Sequence, residues 1–563
     1  MKKFILACLP VLLSVLVNAQ QKYRVFFTDK NGVEFNPYTY FDEKAIERRC
    51  KHNLPLDDVT DKPVKENYIQ AVSLLCDSTG FASRWFNMVV AYGNEAQMQE
   101  VKKLPFVALV EEMEEYDVQL TATGLSDLKK GELQLLLAQT QRMSGEYFRK
   151  NKITGKGVRV AILDAGFTGF PSCDQLTQVI DEKRVIDTYD FVRKEKNAYH
   201  SHSHGTNVAT CISGMFDTIC AGLAPKAELL LAKTERGFSE KIKEEENWLA
   251  AMEWADKNGA DVINTSLGYT TRWYFKSDMN GKKGLISRSA TMAARKGIVV
   301  VCSAGNEGDT DWKTIAAPGD ADSVITVGGI NPYTGIHASW SSYGPSADKR
   351  LKPNVSAYGY AMVGDGSGAF EQSGTSFASP LVAGFAAAVI ELHPDWTNMQ
   401  VIEAIQKSSD LYPYFDYVHG YGVPQAKWFF NEMDSVAPTF TVADSEFVWH
   451  MKIEDEVFAI AEPLQVYYEP NNRFGNEDAT EAETGNMHIY DMDFSNTSAY
   501  TYTQFPGYVF YHIENADGTI RTYYVISVHD KNVLSLDKSL ITHGEKIRIW
   551  YKGYHVALEL KDE

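Results

Sequence analysis

The sequence has few cysteines, and they do not occur in the close pairs that bind zinc. Its 563 residues include seven cysteines, and no two of them form a CxxC spacing. This absence argues against a zinc ribbon or zinc finger. The cysteines after Cys8 could form disulfides in an exported chain, and the sequence does not decide between the possible pairings. Cys302, inside the apolar run "GIVVVCSAG", is interpreted as a buried free thiol.

An excess of basic residues is also absent. The chain has 55 Lys and Arg against 74 Asp and Glu, which gives a formal net charge of −19. Because phosphate binding needs concentrated Lys and Arg, this balance argues against a nucleic-acid partner. The acidity is interpreted as an aid to solubility, and the sequence contains no internal repeat or low-complexity tract.

Long apolar runs are absent beyond the N-terminal segment. Lys2 and Lys3 precede the run "FILACLPVLLSVLV", and small residues ending at Ala19 follow it. This order predicts a secretory signal over residues 1–19, whereas a lipoprotein anchor at Cys8 is disfavoured because most of the apolar run follows that cysteine. The chain is therefore expected to be exported to the extracellular space, the cell surface or the periplasm. No transmembrane segment is expected after signal removal.

Residues 20–115 have the composition of a small α/β module. "KYRVFF" and "FNMVVAYG" predict strands, whereas "YFDEKAIERRC" and "NEAQMQEVKKL" predict amphipathic helices. A polar stretch without a clear period follows, and residues 116–146 are interpreted as a connector.

Residues 147–432 carry the pattern of an α/β sheet. Apolar runs such as "VRVAIL", "AELLLAK", "DVINTSL" and "DSVITVGG" alternate with helical segments such as "EENWLAAMEWADKNG" and "ISRSATMAARKG". Continuous Val, Ile and Leu runs separated by helices predict a parallel sheet with helices on both faces.

Residues 433–563 lose the helical period and become rich in aromatic and β-branched residues. Segments such as "AYTYTQFPGYVFYHI" and "EKIRIWYKGYHVALEL" predict an antiparallel β-sandwich-like domain. We favour a structural module that packs on the preceding domain over a binding module with exposed aromatics. Aromatic residues in strands are more often part of a core.

Asp164 and His204 stand where an α/β sheet places its ligand contacts. Asp164 ends the run "VRVAILD", and the carboxyl ends of parallel strands line a crevice, although a lone Asp there is more often a turn residue. His204 opens the small-residue segment "HGTNVATCISG". It alternates with His200 and His202, so a metal site on a strand is one alternative and a structural hydrogen bond is another.

Asn306 and Ser376 are individually weak signals. Asn306 follows an apolar strand run, where a turn Asn is common. Ser376, in "SGTSFASPLVAG", opens a predicted helix, where Ser is a routine cap, and Pro380 is compatible because a first-turn Pro loses no intrahelical bond. As a nucleophile, however, Ser376 would have free backbone N–H groups and a positive dipole end directed at a developing oxyanion.

Taken together, these four residues in this order resemble the subtilisin-like serine peptidases, or subtilases. The matching stretches are "VAILDAG", "HGTNVA", "VINTSLG", "SAGNEG", "SSYGPS" and "SGTSFASPLVAG". The resemblance implies a serine endopeptidase that acts on protein or peptide substrates, needs no cofactor, and has the fold predicted above.

The resemblance also implies a role for each residue. Ser376 would attack the scissile carbonyl after His204 takes its proton, and Asp164 would orient the imidazole and stabilise its charged form. The Asn306 amide and the Ser376 backbone N–H would bind the oxyanion.

Further positions correspond to the substrate pocket of the family. One stretch would pair with the peptide and form one wall, another would form the opposite wall, and an alanine would form the floor. These residues are Ser266, Leu267 and Gly268, then Ser303, Ala304 and Gly305, and finally Ala316. None of them is charged, so we expect a preference for an apolar side chain before the cleaved bond.

Two features depart from the family pattern. Asn207 replaces the second His of the motif HGTHVAG, and the insertion "YTTRWYFKSDMNGKKG" lengthens the loop after the substrate strand. Asp278 and Asn280 in that loop could touch calcium, but no spaced run of oxygen ligands appears, so no metal site is predicted.

The resemblance implies that residues 20–115 form a propeptide that aids folding and then blocks the cleft, as an intramolecular inhibitor. The alternative is a permanent N-terminal domain. For the chain as a whole, the alternative is a catalytically silent binding protein with the subtilase fold, and the retention of all four catalytic positions argues against it.

Overall fold

The computed structural model describes residues 21–113, 130–236, 243–270, 274–433, 437–453, 465–468, 507–527 and 533–561. The predicted signal over residues 1–19 lies outside the described residues, as does much of the predicted connector.

The helices and strands of the described residues are as follows. The helices are α1 (Pro37–Tyr40), α2 (Glu43–Lys51), α3 (Glu66–Ser73), α4 (Glu95–Val101), α5 (Lys130–Gln141), α6 (Glu146–Lys150), α7 (Thr177–Asp181), α8 (His204–Ser213), α9 (Lys243–Lys257), α10 (Leu285–Arg295), α11 (Thr375–Leu392) and α12 (Asn398–Ser408). The strands are β1 (Gln21–Phe27), β2 (Ser78–Ser83), β3 (Met88–Gly93), β4 (Val107–Met113), β5 (Arg159–Asp164), β6 (Val185–Asp190), β7 (Met215–Phe216), β8 (Ile219–Cys220), β9 (Glu228–Lys233), β10 (Val262–Thr265), β11 (Val299–Ser303), β12 (Ile325–Ile330), β13 (Val355–Tyr358), β14 (Tyr360–Asp365), β15 (Gly368–Ser373), β16 (Phe440–Asp444), β17 (Val448–Ile453), β18 (Gln465–Tyr468), β19 (Tyr508–Glu514), β20 (Ile520–Ser527), β21 (Val533–Asp537), β22 (Lys546–Tyr551) and β23 (Tyr554–Leu558).

The chain divides into two compact units. The smaller unit comprises Met1–Phe35 and Asp57–Glu115, and the larger comprises Asn36–Leu56 and Tyr116–Glu563. The smaller unit contains an antiparallel four-stranded sheet in the order β2-β3-β1-β4, with helices α3 and α4. The strands and helices predicted in this part of the sequence are confirmed. Residues 36–56, which contain α1 and α2, pack with the larger unit instead.

The larger unit is built on a seven-stranded parallel sheet in the order β13-β12-β11-β10-β5-β9-β6. Helices α8 and α11 pack together against this sheet, and α9 and α10 form a second pair. Every residue of β5 is buried, as expected for a strand covered on both faces. The predicted parallel sheet with helices on both faces is confirmed.

Helix α11 is the buried centre of this unit. It is the one helix among the described residues that is long and apolar enough to cross a membrane, and 89% of its apolar window is buried inside the protein. Pro380 is the sixth residue of α11, not a first-turn residue as the sequence suggested. A proline there removes the backbone N–H that would bond the carbonyl of Ser376, so this carbonyl is available to another donor.

Part of the predicted connector belongs to the core of the larger unit. Helix α5 buries Leu135, Leu136 and Ala138, and the Gln139 side chain exchanges hydrogen bonds with the backbone of Met362. The sequence of α5 has a weak apolar period, which explains why the helix was not expected.

The C-terminal residues form two antiparallel sheets, in the orders β16-β17-β21 and β18-β20-β19-β22-β23. Side chains from both sheets share one apolar core, which supports the antiparallel β-rich fold predicted here. Tyr508 and Phe510 pack against Ile336 and Leu411 of the sheet-bearing region. Because these aromatics are buried at that contact, the packing favours a structural role over a binding surface.

The cysteines after the N-terminal segment are all free thiols. Cys302 is fully buried in β11, and burial raises its pKa to about 12, as fits an inert core residue.

Candidate active site

The polar residues singled out in the sequence meet at the carboxyl edge of the parallel sheet. Asp164 is the last residue of β5, and His204 is the first residue of α8. Asn306 follows β11, and Ser376 is the second residue of α11. Strands that run in parallel end at one edge, and helices that return across the sheet begin there, so distant parts of the chain converge.

Asp164 and His204 form a direct pair. Their Oδ1 and Nδ1 atoms lie 2.8 Å apart, and Asp164 is fully buried. The same Oδ1 accepts the backbone N–H of Ala165 at 2.8 Å. Burial by itself would lower the pKa of His204, but the charge and hydrogen bond of Asp164 outweigh it and hold the pKa above its usual value. With Nδ1 donating to the carboxylate, Nε2 of the neutral ring is an acceptor.

Ser376 is buried, with 8% of its surface exposed, and forms a reciprocal pair with Ser266. The Ser376 hydroxyl donates to the Ser266 carbonyl at 3.1 Å, while the Ser266 hydroxyl donates to the Ser376 carbonyl at 2.8 Å. The second bond uses the carbonyl that Pro380 leaves without its helical donor. In this conformation the Ser376 proton is directed at Ser266, so transfer to His204 requires a change of the serine rotamer.

Asn306 is fixed by the residue that precedes Ser376. Its Oδ1 accepts both the backbone N–H and the hydroxyl of Thr375, each at 2.9 Å. The carbonyl half of the amide is thereby occupied, and the Nδ2 donor remains for a ligand beside the start of α11.

A cavity of about 250 Å³ joins these groups. It is lined by Ala165, His202, His204, Asn207, Glu235, Ser266, Leu267, Gly268, Ser303, Gly305, Asn306, Glu307, Gln372, Ser373, Ser376 and Phe377. Of the predicted pocket positions, Ala304 and Ala316 are buried behind this lining. A Cβ added at Gly268 or Gly305 would lie 3.0 Å from the Ala316 Cβ, so Ala316 lies directly beneath both glycines.

Two acidic residues, Glu235 and Glu307, also line the cavity, and neither was predicted from the sequence. Glu307 accepts the Asn306 N–H at 2.9 Å and the Ser342 hydroxyl at 3.1 Å, and burial raises its pKa. Glu235 accepts the Tyr269 hydroxyl at 3.0 Å. Their sequence positions could have revealed both, because Glu307 adjoins Asn306 and Glu235 follows a parallel strand as Asp164 does.

The three alternating histidines have separate partners. His204 bonds Asp164, His202 Nδ1 accepts the backbone N–H of His204 at 3.0 Å, and His200 lies 3.0 Å from the Ser201 hydroxyl. His200 and His202 lie in the segment that leads into α8, and His204 is the first residue of that helix, so the three are not on the strand that a shared metal-binding face would need.

Within the described residues, the side chains close enough to hold a metal are Asp190, Glu195 and His200. The Lys233 ammonium lies 3.3 Å from Asp190 Oδ2, and His200 lies within 3.4 Å of both carboxylates. An ammonium in that place competes with a cation, so these contacts are an ion-pair network. In the insertion, Asp278 and Asn280 accept backbone N–H groups of their own turn.

Known protein families match two regions of this chain. A model described as the subtilase family matches residues 155–422, and one described as the peptidase S8 propeptide domain of Bacteroidota matches residues 22–127. Subtilisin NAT of Bacillus subtilis subsp. natto is 32% identical over 333 residues, which cover 58% of this chain and 76% of that protein. The chain belongs to the subtilase family.

A second relative has a similar degree of identity. The subtilisin of Bacillus pumilus is 33% identical over 260 residues, covering 46% of this chain and 85% of that protein. A solved structure of a cold adapted subtilisin-like serine proteinase is 21% identical, with a TM-score of 0.38 and coverage of 48% of this chain and 88% of the other.

This subtilase is a serine-type endopeptidase preceded by a propeptide domain. Its departure from the family motif is accommodated locally. Asn207 is buried, and its amide donates to the backbone carbonyl of Gly364 at 3.0 Å, so it ties α8 to β14.

Proposed function

We propose that this subtilase hydrolyses peptide bonds with Ser376 as nucleophile, His204 as general base and Asp164 as the group that orients the imidazole. The observation that carries the proposal is the 2.8 Å contact between Asp164 Oδ1 and His204 Nδ1, behind a cavity that both His204 and Ser376 line. The buried carboxylate selects the tautomer whose Nε2 can accept the serine proton.

Attack on a substrate begins with rotation of the Ser376 hydroxyl from the Ser266 carbonyl toward Nε2 of His204. Such a rotamer change takes place far faster than turnover, and catalytic hydrogen bonds are often loose before substrate binds. His204 then takes the proton as Ser376 Oγ bonds to the scissile carbonyl carbon. The protonated imidazole is stabilised by Asp164 and returns the proton to the leaving amine, which leaves an acyl-enzyme for water to hydrolyse.

The oxyanion that forms in this step would be held by the Asn306 Nδ2 and the Ser376 backbone N–H. Thr375 supports both donors, because it anchors the Asn306 carbonyl oxygen and places Ser376 in the first turn of α11. Donors fixed before the reaction stabilise the developing charge without reorganising.

We propose an apolar side chain before the cleaved bond. Gly268 and Gly305 leave room above Ala316, and the neighbouring Ser303 is neutral. Glu307 also lines the cavity, but its raised pKa and two hydrogen bonds weaken its attraction for a cation. A panel of fluorogenic peptides that vary at this position should favour large apolar residues, and a strong preference for Arg or Glu would contradict the proposal.

The experiment that tests the nucleophile compares Ser376→Ala with Ser379→Ala. Ser379 lies one turn further along α11, where its hydroxyl donates to Asn264 at 2.7 Å. Ser376→Ala should abolish hydrolysis of a fluorogenic peptide while the thermal melt is unchanged, and Ser379→Ala should remain active. Activity near the original level in Ser376→Ala would refute the assignment and would also reopen the catalytically silent alternative.

We further propose export through a signal over residues 1–19, and self-cleavage in the connector after "FVALVEEMEEY". Purified protein should shorten at this connector, and the Ser376→Ala form should stay whole. Equal trimming of both forms, with no other protease present, would show that processing is not autocatalytic.

A further inference from the structure

Glu235 lines the cavity on the side opposite to the pocket proposed for the side chain before the cleaved bond. The strands around the cavity run in the order β11-β10-β5-β9. Ser303 is the last residue of β11 and Gly305 follows it, the stretch 266–268 follows β10, and Glu235 follows β9. Because these strands all end at one edge of the sheet, the stretch 266–268 lies between Gly305 on one side and Glu235 on the other.

The stretch after β10 shows how side chains alternate between these two sides. A Cβ added at Gly268 would lie 3.0 Å from the Ala316 Cβ, whereas the hydroxyl of the next residue, Tyr269, donates to Glu235 Oε1 at 3.0 Å. Successive side chains of an extended chain point in opposite directions. A substrate that pairs with residues 266–268, as the family resemblance implies, would alternate in the same way.

The second residue before the cleaved bond would therefore be directed toward Glu235. When the side chain next to the bond enters the pocket above Ala316, the side chain of the residue before it must point away from that pocket. Glu235 lines the cavity on that side. The charge on this side of the cavity then decides which side chain the enzyme accepts there.

Glu235 brings a carboxylate into a part of the cavity that has little contact with water. The residue is 5% exposed, and the Tyr269 hydroxyl supplies a hydrogen bond but no positive charge. The ammonium of Lys233, two residues earlier at the end of β9, is directed at Asp190 Oδ2, which lies 3.3 Å away. The pairing of Lys233 with Asp190 directs that cation to β6 and not into the cavity.

His202, which also lines the cavity, adds no positive charge at neutral pH. Its Nδ1 accepts the backbone N–H of His204 at 3.0 Å, so this nitrogen carries no proton. Burial and the neighbouring His204 hold the pKa of His202 below its usual value of about 6.5. A cationic side chain of a substrate would therefore meet the carboxylate of Glu235 without repulsion from this ring.

A substrate that covers Glu235 completes the removal of its carboxylate from water. A buried carboxylate without a counter-charge is unfavourable, whereas a guanidinium or ammonium group that reaches it forms a charge-assisted hydrogen bond. Neutral side chains incur the desolvation cost, and basic ones offset it. Selection at this position therefore depends on charge, in contrast to the apolar pocket above Ala316.

We propose that Glu235 makes this enzyme prefer Arg or Lys as the second residue before the cleaved bond. The proposal rests on the peptidase function proposed above and adds a substrate class to it. The preferred substrates are proteins or peptides in which a basic residue is followed by an apolar residue, after which the chain is cut.

The test compares peptides that differ only in charge at this position. Two fluorogenic peptides carry the same large apolar residue before the cleaved bond, and either Arg or its neutral isostere citrulline as the second residue. For the processed parent enzyme, kcat/KM should be about 10-fold or more higher for the Arg peptide. Equal kcat/KM values for the two peptides would overturn the proposal.

Glu235→Gln keeps an oxygen that can accept the Tyr269 hydroxyl and removes only the charge. The variant should bring the Arg-to-citrulline ratio of kcat/KM close to 1, chiefly by slowing cleavage of the Arg peptide. A purely structural role would lower both kcat/KM values together and keep the parent ratio, which would overturn the proposal. Asp217→Asn, in the exposed turn between β7 and β8, is the matched control and should leave the ratio unchanged.

If Glu235→Gln does not fold, Glu235→Asp decides, because it keeps the charge but withdraws it by one methylene group. The Arg-to-citrulline ratio should then fall below that of the parent enzyme, and an unchanged ratio would overturn the proposal.

The Ser376→Ala form separates this proposal from the peptidase function on which it rests. If neither peptide is cleaved by the parent, or Ser376→Ala cleaves both as fast as the parent does, the peptidase assignment fails, and this proposal fails with it. If cleavage depends on Ser376 but not on the charge of the peptide, only the role of Glu235 fails.

Discussion

The two edges of the parallel sheet use opposite ends of helices. At the carboxyl edge, α8 and α11 begin, and their first residues include His204 and Ser376 beside an open cavity. At the amino edge, α9 and α10 end, and Arg48 and Arg49 are buried where carbonyls accumulate. The positive helix ends face the place where an oxyanion would form, and the negative ends face guanidinium groups.

The proposed catalytic residues therefore lie at one edge of the sheet, and the buried arginines that hold residues 36–56 against it lie at the other. The hydroxyl of Ser376 would have to move to act as the proposed nucleophile, whereas the guanidinium groups of Arg48 and Arg49 at the amino edge are held by several hydrogen bonds at once. Substitutions at the carboxyl edge should therefore change rates, and substitutions at the amino edge should change the free energy of unfolding.

The largest effect is expected for Asp164→Asn. The amide cannot accept the Nδ1 proton as the carboxylate does, so the wrong imidazole tautomer is favoured, and kcat should fall about 10⁴-fold. Steady-state hydrolysis of a fluorogenic peptide measures the change, and the thermal melt should move little. A modest rate loss coupled with a large loss of stability would mean that the pair is structural.

The next largest effect is a loss of stability, and it is expected at the amino edge of the sheet. Asp256, near the end of α9, accepts hydrogen bonds from the buried Arg48 and Arg49. Asp256→Asn leaves these two guanidinium groups without their counter-charge, and this should lower the free energy of unfolding by about 3–5 kcal/mol. Urea unfolding in the Ser376→Ala background measures it without self-digestion. In the active enzyme kcat should change little, and a kcat loss comparable to that of Asp164→Asn would break the proposed separation.

Asn306→Ala should lower kcat by about 10²–10³-fold with little change in KM, because its Nδ2 would act only on the oxyanion. Asn280→Ala, in the surface insertion, is a control that should leave both constants unchanged. A change confined to KM would instead assign Asn306 to ground-state binding.

The smallest effect is a shift in pH dependence. His204 must be neutral to accept a proton, and its pKa is raised above the usual value of about 6.5, so kcat/KM should fall as pH drops through that raised pKa. The protonated ring beside Asp164 stabilises the fold below about pH 6.5, and this contribution is lost as pH rises through the raised pKa. In Asp164→Asn the fall of kcat/KM at acidic pH should occur at lower pH than in the parent enzyme. If it occurs at the same pH, a group other than His204 causes the fall.

The sequence allowed much of this structure to be predicted because its strands are continuous apolar runs. The runs around β5 and β11 end in Asp164 and near Asn306, and sheet topology then brings both to one edge. The position of Pro380 and the orientation of the Ser376 hydroxyl depend on where α11 begins, to within a turn. Periodicity does not resolve this detail.

The packing of residues 36–56 with the larger unit could not be predicted, for a different physical reason. Arg48 and Arg49 belong to an amphipathic helix, and charged residues on such a helix normally face water. Their partner Asp256 is more than 200 residues away, and nothing local marks it.

The central claim is that Ser376 is an activated nucleophile in a cavity open to substrate. The most direct measurement is mass spectrometry of the purified active protein after reaction with a fluorophosphonate, with a chelator as control. The account predicts one adduct, on Ser376, that forms equally with chelator present and is lost in Asp164→Asn. Peptidase activity that survives with Ser376 unmodified, or that the chelator removes, would contradict it.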